Sequence, residues 1–194
     1  MKHYLLCTFL FSLLSLSLVS QQQSLSIVPE PAELVRGKGS FLLDAKTIVV
    51  AENNDAGLRH LAETFTGWLS PATGFQLKIA DHAVPSAKLI ELSLNASLKD
   101  VKAEEGYILK ISSNRISLSA AKPAGIFYGL QTLRQLLPPA IEYQSKQSAV
   151  WEIPAVKITD YPRFGWRGLL LDVSRHFFTK EFVKKYIDEM ARYK

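Results

Sequence analysis

Between Asn53 and Leu69 the residues Leu58, Leu61, Ala62, Phe65, Trp68 and Leu69 recur at spacings of three and four. That is the stripe one face of an α-helix presents. Asn54 or Asp55 stands where a cap is needed, and "SPATG" is expected to break the helix. A second stripe of Ile126, Leu130, Leu133 and Leu137 follows Pro123, which is harmless in a first helical turn. Pro138-Pro139 ends it. Period-two and β-branched runs mark strands: "KTIVVA" (Lys46 to Ala51), "FQLKIA", "AKLIELSL" and "VWEIPAVKI". "GYILKISSNRISLSA" is two alternating runs meeting at Ser113-Asn114, a hairpin pattern, while the two prolines of "IVPEPAEL" predict an extended lead-in. Strand, helix, strands, hairpin and helix in that order make an α+β domain, a sheet covered by two helices.

The pattern changes at "TDYPRF", which marks a linker and a second beginning. Leu169-Leu170-Leu171 lacks alternation and suits a parallel strand buried on both faces. Thr179 can cap the next helix, with Glu181 in its first turn and Phe182, Val183, Tyr186, Ile187 and Met190 on its apolar face. Strand then helix is one βα unit.

Composition narrows the classes. Of the 194 residues 47% are hydrophobic and 21% charged, enough for a buried core. Lys2 followed by the apolar run Tyr4 to Ser20 reads as a secretory signal cut near Ser20. The run falls short of the roughly 20 residues a spanning helix needs, so no stable membrane anchor is expected. Cys7, the single cysteine, lies inside it. The remaining chain would have no disulfide, cysteine nucleophile or thiolate metal site. Export without disulfides fits a periplasmic or secreted protein. Setting Lys2 aside leaves 22 basic against 18 acidic residues, scattered rather than striped, so nucleic-acid binding is not expected.

Few polar residues carry a chemical signal. In parallel α/β arrangements sites form at the carboxyl ends of strands. Asp172, Ser174, Arg175 and His176 sit where strand gives way to loop, whereas Trp166 and Arg167 sit at the other end. From the residues alone, Arg175 as a ligand contact and Arg175 as a brace paired with Asp172 are equal readings. His176 has no identifiable partner for acid-base work. Neither His60 nor His82 lies near a second ligand at a binding spacing, so no metal is expected. Asn95-Ala96-Ser97 is formally a glycosylation sequon. "AKPAGIFYGL" lacks a phosphate-loop pattern, and Glu104-Glu105 reads as the polar start of a strand.

Three stretches carry a resemblance. "RFGWRGLLLDVSRHFFTKEFVKKYIDEMARYK", with its "LDVSRH" signature, resembles the start of the catalytic barrel of glycoside hydrolase family 20, the β-N-acetylhexosaminidases. "AGIFYGLQTLRQLLP" resembles the last helix of the small α+β domain before that barrel, and "IVPEPAEL" resembles that domain's opening. The resemblance implies that Arg175 hydrogen-bonds hydroxyls of a terminal N-acetylhexosamine, with Asp172 and His176 as structural supports. A guanidinium, with its fixed fork of donors, suits adjacent hydroxyls.

It also implies a retaining, substrate-assisted hydrolysis. The substrate's acetamido oxygen attacks the anomeric carbon, an aspartate steadies that group, and the adjacent glutamate is general acid and then base. No catalytic position of that kind falls within this sequence. The expected architecture is therefore an α+β N-terminal domain followed by the first βα unit of a truncated (β/α)8 TIM barrel. Residues 1–20 would be the signal peptide, 24–158 the accessory domain and 159–194 the start of the barrel. The expected partner is an N-acetylhexosamine-containing glycan, with no cofactor, and the segment by itself is expected to be inactive. A non-catalytic glycan- or protein-binding module, or another glycosidase with a similar leading domain, are the alternatives.

Overall fold

A computed structural model describes residues 25–52, 55–85, 88–98, 101 and 104–194. The expected signal peptide, Cys7 and the alternative cap Asn54 lie outside them. The strands are β1 (Glu33–Leu42), β2 (Ile48–Ala51), β3 (Lys78–Ala80), β4 (Leu89–Leu94), β5 (Tyr107–Ile111), β6 (Arg115–Ala120) and β7 (Glu152–Asp160). The helices are α1 (Ala56–Thr73), α2 (Pro123–Leu136) and α3 (Lys180–Arg192), with a 3-10 turn at Pro139–Glu142.

The seven strands form one sheet in the order β1-β7-β5-β6-β4-β2-β3. β1, β7, β5 and β6 pair antiparallel, while β6, β4, β2 and β3 pair parallel. The hairpin of β5 and β6 joins the two halves, its turn closed by Ser112 N–H on Arg115 O at 2.9 Å. Both α1 and α2 pack on the sheet and on each other, as a sheet covered by two helices requires. Alternation shows why. Ile116, Leu118 and Ala120 of β6 join the core with Ile90 and Leu92 of β4 and Leu109 of β5, and Leu58, Phe65, Ile126, Leu130 and Leu133 meet them from the helices. Opposite them Ser93 and Ser119 share a hydrogen bond of 2.8 Å, and Arg115 pairs with Glu91 at 3.3 Å.

Two boundaries differ from the sequence reading. α1 runs through "SPAT" to Thr73, so that segment does not break it. Pro71 lies in the last turn, where it removes a single helical hydrogen bond. Gly74, at φ 72°, closes the end by donating its N–H to Ser70 O at 2.8 Å. At the other end Asp55 is the cap, its Oδ1 accepting Leu58 N–H at 2.8 Å. The second difference is β1. "ELVRGKGSFL" carries two glycines and three charges, yet it pairs with β7 along its length, apart from a register shift between Arg36 and Ser40 where Gly37 lies against Ala155.

The strand expected at Leu169–Leu171 is not formed. Leu169 and Leu170 are exposed, and no described strand pairs with them. A parallel strand takes its hydrogen bonds from neighbours, so the apolar run alone does not make one. The helix after it does form: Thr179 Oγ1 accepts Phe182 N–H at 3.2 Å, with Glu181 in the first turn. Not one residue of α3 is buried.

Candidate functional site

The predicted cluster occupies the loop between the Leu169–Leu171 run and α3. Asp172 Oδ1 accepts the backbone N–H of Ser174 at 3.0 Å and of Arg175 at 3.2 Å, so its carboxylate shapes the loop. Arg175 Nε stands 3.6 Å from Asp172 Oδ2, with side-chain exposures of 90% and 49%. An ion pair this open to water contributes little to stability. The side chain of Arg175 thus projects into solvent with its fork accessible. His176 packs edge-on against Phe178 at 5.1 Å, and Phe178 stacks on Phe182 at 4.6 Å and an interplanar angle of 20°. That aromatic contact continues to Tyr186, whose hydroxyl donates to Leu170 O at 3.2 Å. His176 therefore belongs to a row of aromatic rings running from the loop onto α3. Among the described residues no group of three His, Cys, Asp or Glu could hold a metal ion.

A second cluster was not foreseen from the sequence. Where β5 begins and β7 ends, Tyr107 and Asp160 are register partners. Tyr107 donates its hydroxyl to Asp160 Oδ2 at 2.9 Å and lies 2.6 Å from Thr132 Oγ1 on α2. Asp160 Oδ1 accepts the backbone N–H groups of Ala32 at 3.2 Å and Tyr161 at 3.0 Å. Lys194 Nζ completes the set, 2.7 Å from Asp160 Oδ2 and 2.9 Å from the Tyr107 oxygen. Burial, reinforced by the Asp160 charge, pushes the Tyr107 phenol far above its usual range. Burial also pulls the Lys194 ammonium down, against the opposing pull of Asp160.

Arg167, expected at the far end of the strand from Arg175, reaches back to this cluster's rim. Its guanidinium donates to Glu105 Oε2 at 2.7 Å and to Phe164 O at 2.7 Å, and lies 5.8 Å from the centre of the Tyr128 ring. The hydrogen bond with Glu105 raises its already high pKa. Between these groups is a cleft of about 210 Å³, lined by Glu105, Tyr107, Tyr128, Asp160, Tyr161 and Phe164 among others. Glu105 and Arg167 are 62 positions apart in sequence, so no local spacing could have announced the pair.

Neither cluster holds the paired free carboxylates of a hydrolytic centre. Together they describe an α+β domain followed by a loop and a single helix. Residues 24–161 match glycosyl hydrolase family 20, domain 2, and residues 164–194 match the catalytic domain of the same family. The chain is 34% identical over 172 residues to the β-hexosaminidase of Porphyromonas gingivalis, covering 89% of this chain and 22% of that protein. It is 32% identical over 173 residues to the β-N-acetylhexosaminidase of Cellulomonas fimi, covering 87% and 32% respectively. Its fold superposes on the family 20 β-N-acetylhexosaminidase of Streptomyces coelicolor A3(2) with a TM-score of 0.79 at 36% identity, over 87% of this chain and 33% of that one. The chain belongs to glycoside hydrolase family 20. It spans between about a fifth and a third of the length of these relatives.

Proposed function

We propose that this chain is the N-terminal part of an exported β-N-acetylhexosaminidase that releases terminal, non-reducing GlcNAc or GalNAc with retention of configuration. The α+β domain is its accessory domain, and residues from about 159 onward open its catalytic (β/α)8 barrel. The observation that carries this reading is the pair of adjoining family matches, the second of which contains "LDVSRH".

In this reading Arg175 sits on the loop leaving the first barrel strand and offers its N–H fork to hydroxyls of the terminal sugar, away from the leaving group. Asp172 holds the loop through its two backbone hydrogen bonds, and the aromatic row carrying His176 keeps the loop on α3. The bond-breaking steps fall to groups outside this sequence: the substrate's acetamido oxygen as nucleophile, an aspartate that steadies it, and an acid-base glutamate. Residues 25–194 alone would then hydrolyse nothing.

The test is hydrolysis of 4-nitrophenyl N-acetyl-β-glucosaminide and galactosaminide by this chain and by the product of its whole reading frame. Activity confined to a longer product with an adjacent Asp-Glu pair supports the proposal. A frame that ends at Lys194, with a chain that captures N-acetylhexosamine glycans without cutting them, would replace it with the binding-module reading.

A further inference from the structure

The segment 162–194 is attached to the α+β domain with little apolar burial, since no apolar residue in it is buried. Its polar attachment has a consistent sense. Arg167 pairs with Glu105 at 2.7 Å, Arg192 with Glu142 at 2.6 Å and Lys194 with Asp160 at 2.7 Å. In all three pairs the cation belongs to the segment and the carboxylate to the domain. The three carboxylates come from separate places: the approach to β5, the 3-10 turn and the end of β7.

These contacts are not loose surface pairs. Side-chain exposure is 9% for Lys194 and 12% for Asp160, and 28% and 26% for Arg167 and Arg192, against 90% for Arg175. Two of the cations also rest near a tyrosine ring of the domain, Arg167 near Tyr128 at 5.8 Å and Lys194 near Tyr107 at 5.1 Å. Glu142 is itself held by Arg134 Nε at 3.1 Å and Arg134 Nη2 at 2.7 Å, so its carboxylate is oriented before Arg192 arrives. Asp160 is likewise oriented by two backbone N–H groups and the Tyr107 hydroxyl.

We infer that Glu105, Glu142 and Asp160 form an ionic docking seam that fastens the 162–194 segment to the α+β domain and sets its orientation. Three anchor points drawn from separate elements restrain the segment more than any single pair could. The carboxylates are therefore positioning residues for the loop that carries Arg175. Only that last step, from seam to substrate, rests on the proposed function.

The test is hydrogen exchange of the α3 amides in the 194-residue chain, using charge reversal across one pair. Glu142→Arg is expected to speed exchange in α3 while leaving α1 unchanged; α2 loses its Arg134 pair as well and is not the reference. The double variant Glu142→Arg with Arg192→Glu is expected to restore protection, with a coupling of roughly fivefold or more in the opening equilibrium. The pair Glu105→Arg with Arg167→Glu repeats the test at a second contact, and raised salt should mimic the single variants. Additive effects with no rescue at either pair would overturn the seam. The link to substrate is read separately, in the product of the whole reading frame. There Glu105→Arg should raise KM for the N-acetylhexosaminide more than it lowers kcat, and the charge swap should reverse the change. An unchanged KM with coupling still seen in exchange would overturn the positioning role and leave the docking intact. Absent hydrolysis by the unmodified product would count against the proposed function alone.

Discussion

Tyr107 and Asp160 face each other across adjacent antiparallel strands, and the phenol donates to the carboxylate at 2.9 Å. The same phenol oxygen is within hydrogen-bond distance of Thr132 Oγ1 and accepts from Lys194 Nζ, so one buried hydroxyl ties a strand, a helix and the C-terminal segment to β7. Removing it by Tyr107→Phe leaves a buried carboxylate with one partner fewer. We expect a loss of about 1–3 kcal/mol in urea unfolding of the domain. An unchanged midpoint would show that Asp160 is satisfied without it.

The pH dependence of that phenol has a definite sign. Its folded-state pKa is raised, first by burial and then by Asp160, so it favours the folded state fully below the ordinary tyrosine value of about 10. That contribution is lost as pH rises above it. Spectrophotometric titration should find one tyrosine that ionises only as the chain unfolds in alkali, and Tyr107→Phe should remove that step.

Gly125 stands where α2 touches the sheet. A Cβ there would strike the backbone oxygen of Gly106 and come within 2.7 Å of the Ala120 methyl. Backbone cannot swing aside as a side chain can, so Gly125→Ala should cost roughly 1–3 kcal/mol or more through overpacking. Leu130→Ala, which empties space at the centre of the same interface, should cost roughly 2–5 kcal/mol. Thermal unfolding of the two variants checks both.

Arg175→Ala separates brace from ligand contact. With the side chain 90% exposed, the substitution should change stability by no more than about 0.5 kcal/mol. If the proposed function holds, it should raise KM sharply in the product of the whole reading frame. Asp172→Ala should instead loosen the loop by removing two backbone hydrogen bonds, visible as faster exchange at Ser174 and Arg175. A large stability loss from Arg175→Ala would restore the brace.

The exposed apolar groups of the last segment, among them Trp166, Leu170, Phe177 and Ile187, make a further prediction. At ~1.5–3 kcal/mol per large side chain, their burial is a substantial driving force left unused in this chain. The chain from residue 25 to 194 should bind a hydrophobic dye and self-associate, and removal of residues 163–194 should abolish both. A monomer with no dye binding would mean that these groups find cover within the chain.

Local pattern determined much of this protein. The stripes of α1 and α2, the hairpin of β5 and β6 and the cap at Thr179 are written in residues a few positions apart, because capping, turn formation and amphipathic spacing act over one or two turns of chain. "LDVSRH" likewise carries its resemblance in six adjacent residues. The tertiary structure decided the rest. β1 is a strand because β7 supplies hydrogen bonds that outweigh its glycines, and the Leu169–Leu171 run is not one because no described strand lies beside it. The run through Pro71 holds because Gly74 is free to take the left-handed cap. Above all, the alignment of Glu105, Glu142 and Asp160 with Arg167, Arg192 and Lys194 exists only after folding. Charges tens of residues apart leave no periodic trace, and burial at the domain edge is what gives their pairing its strength.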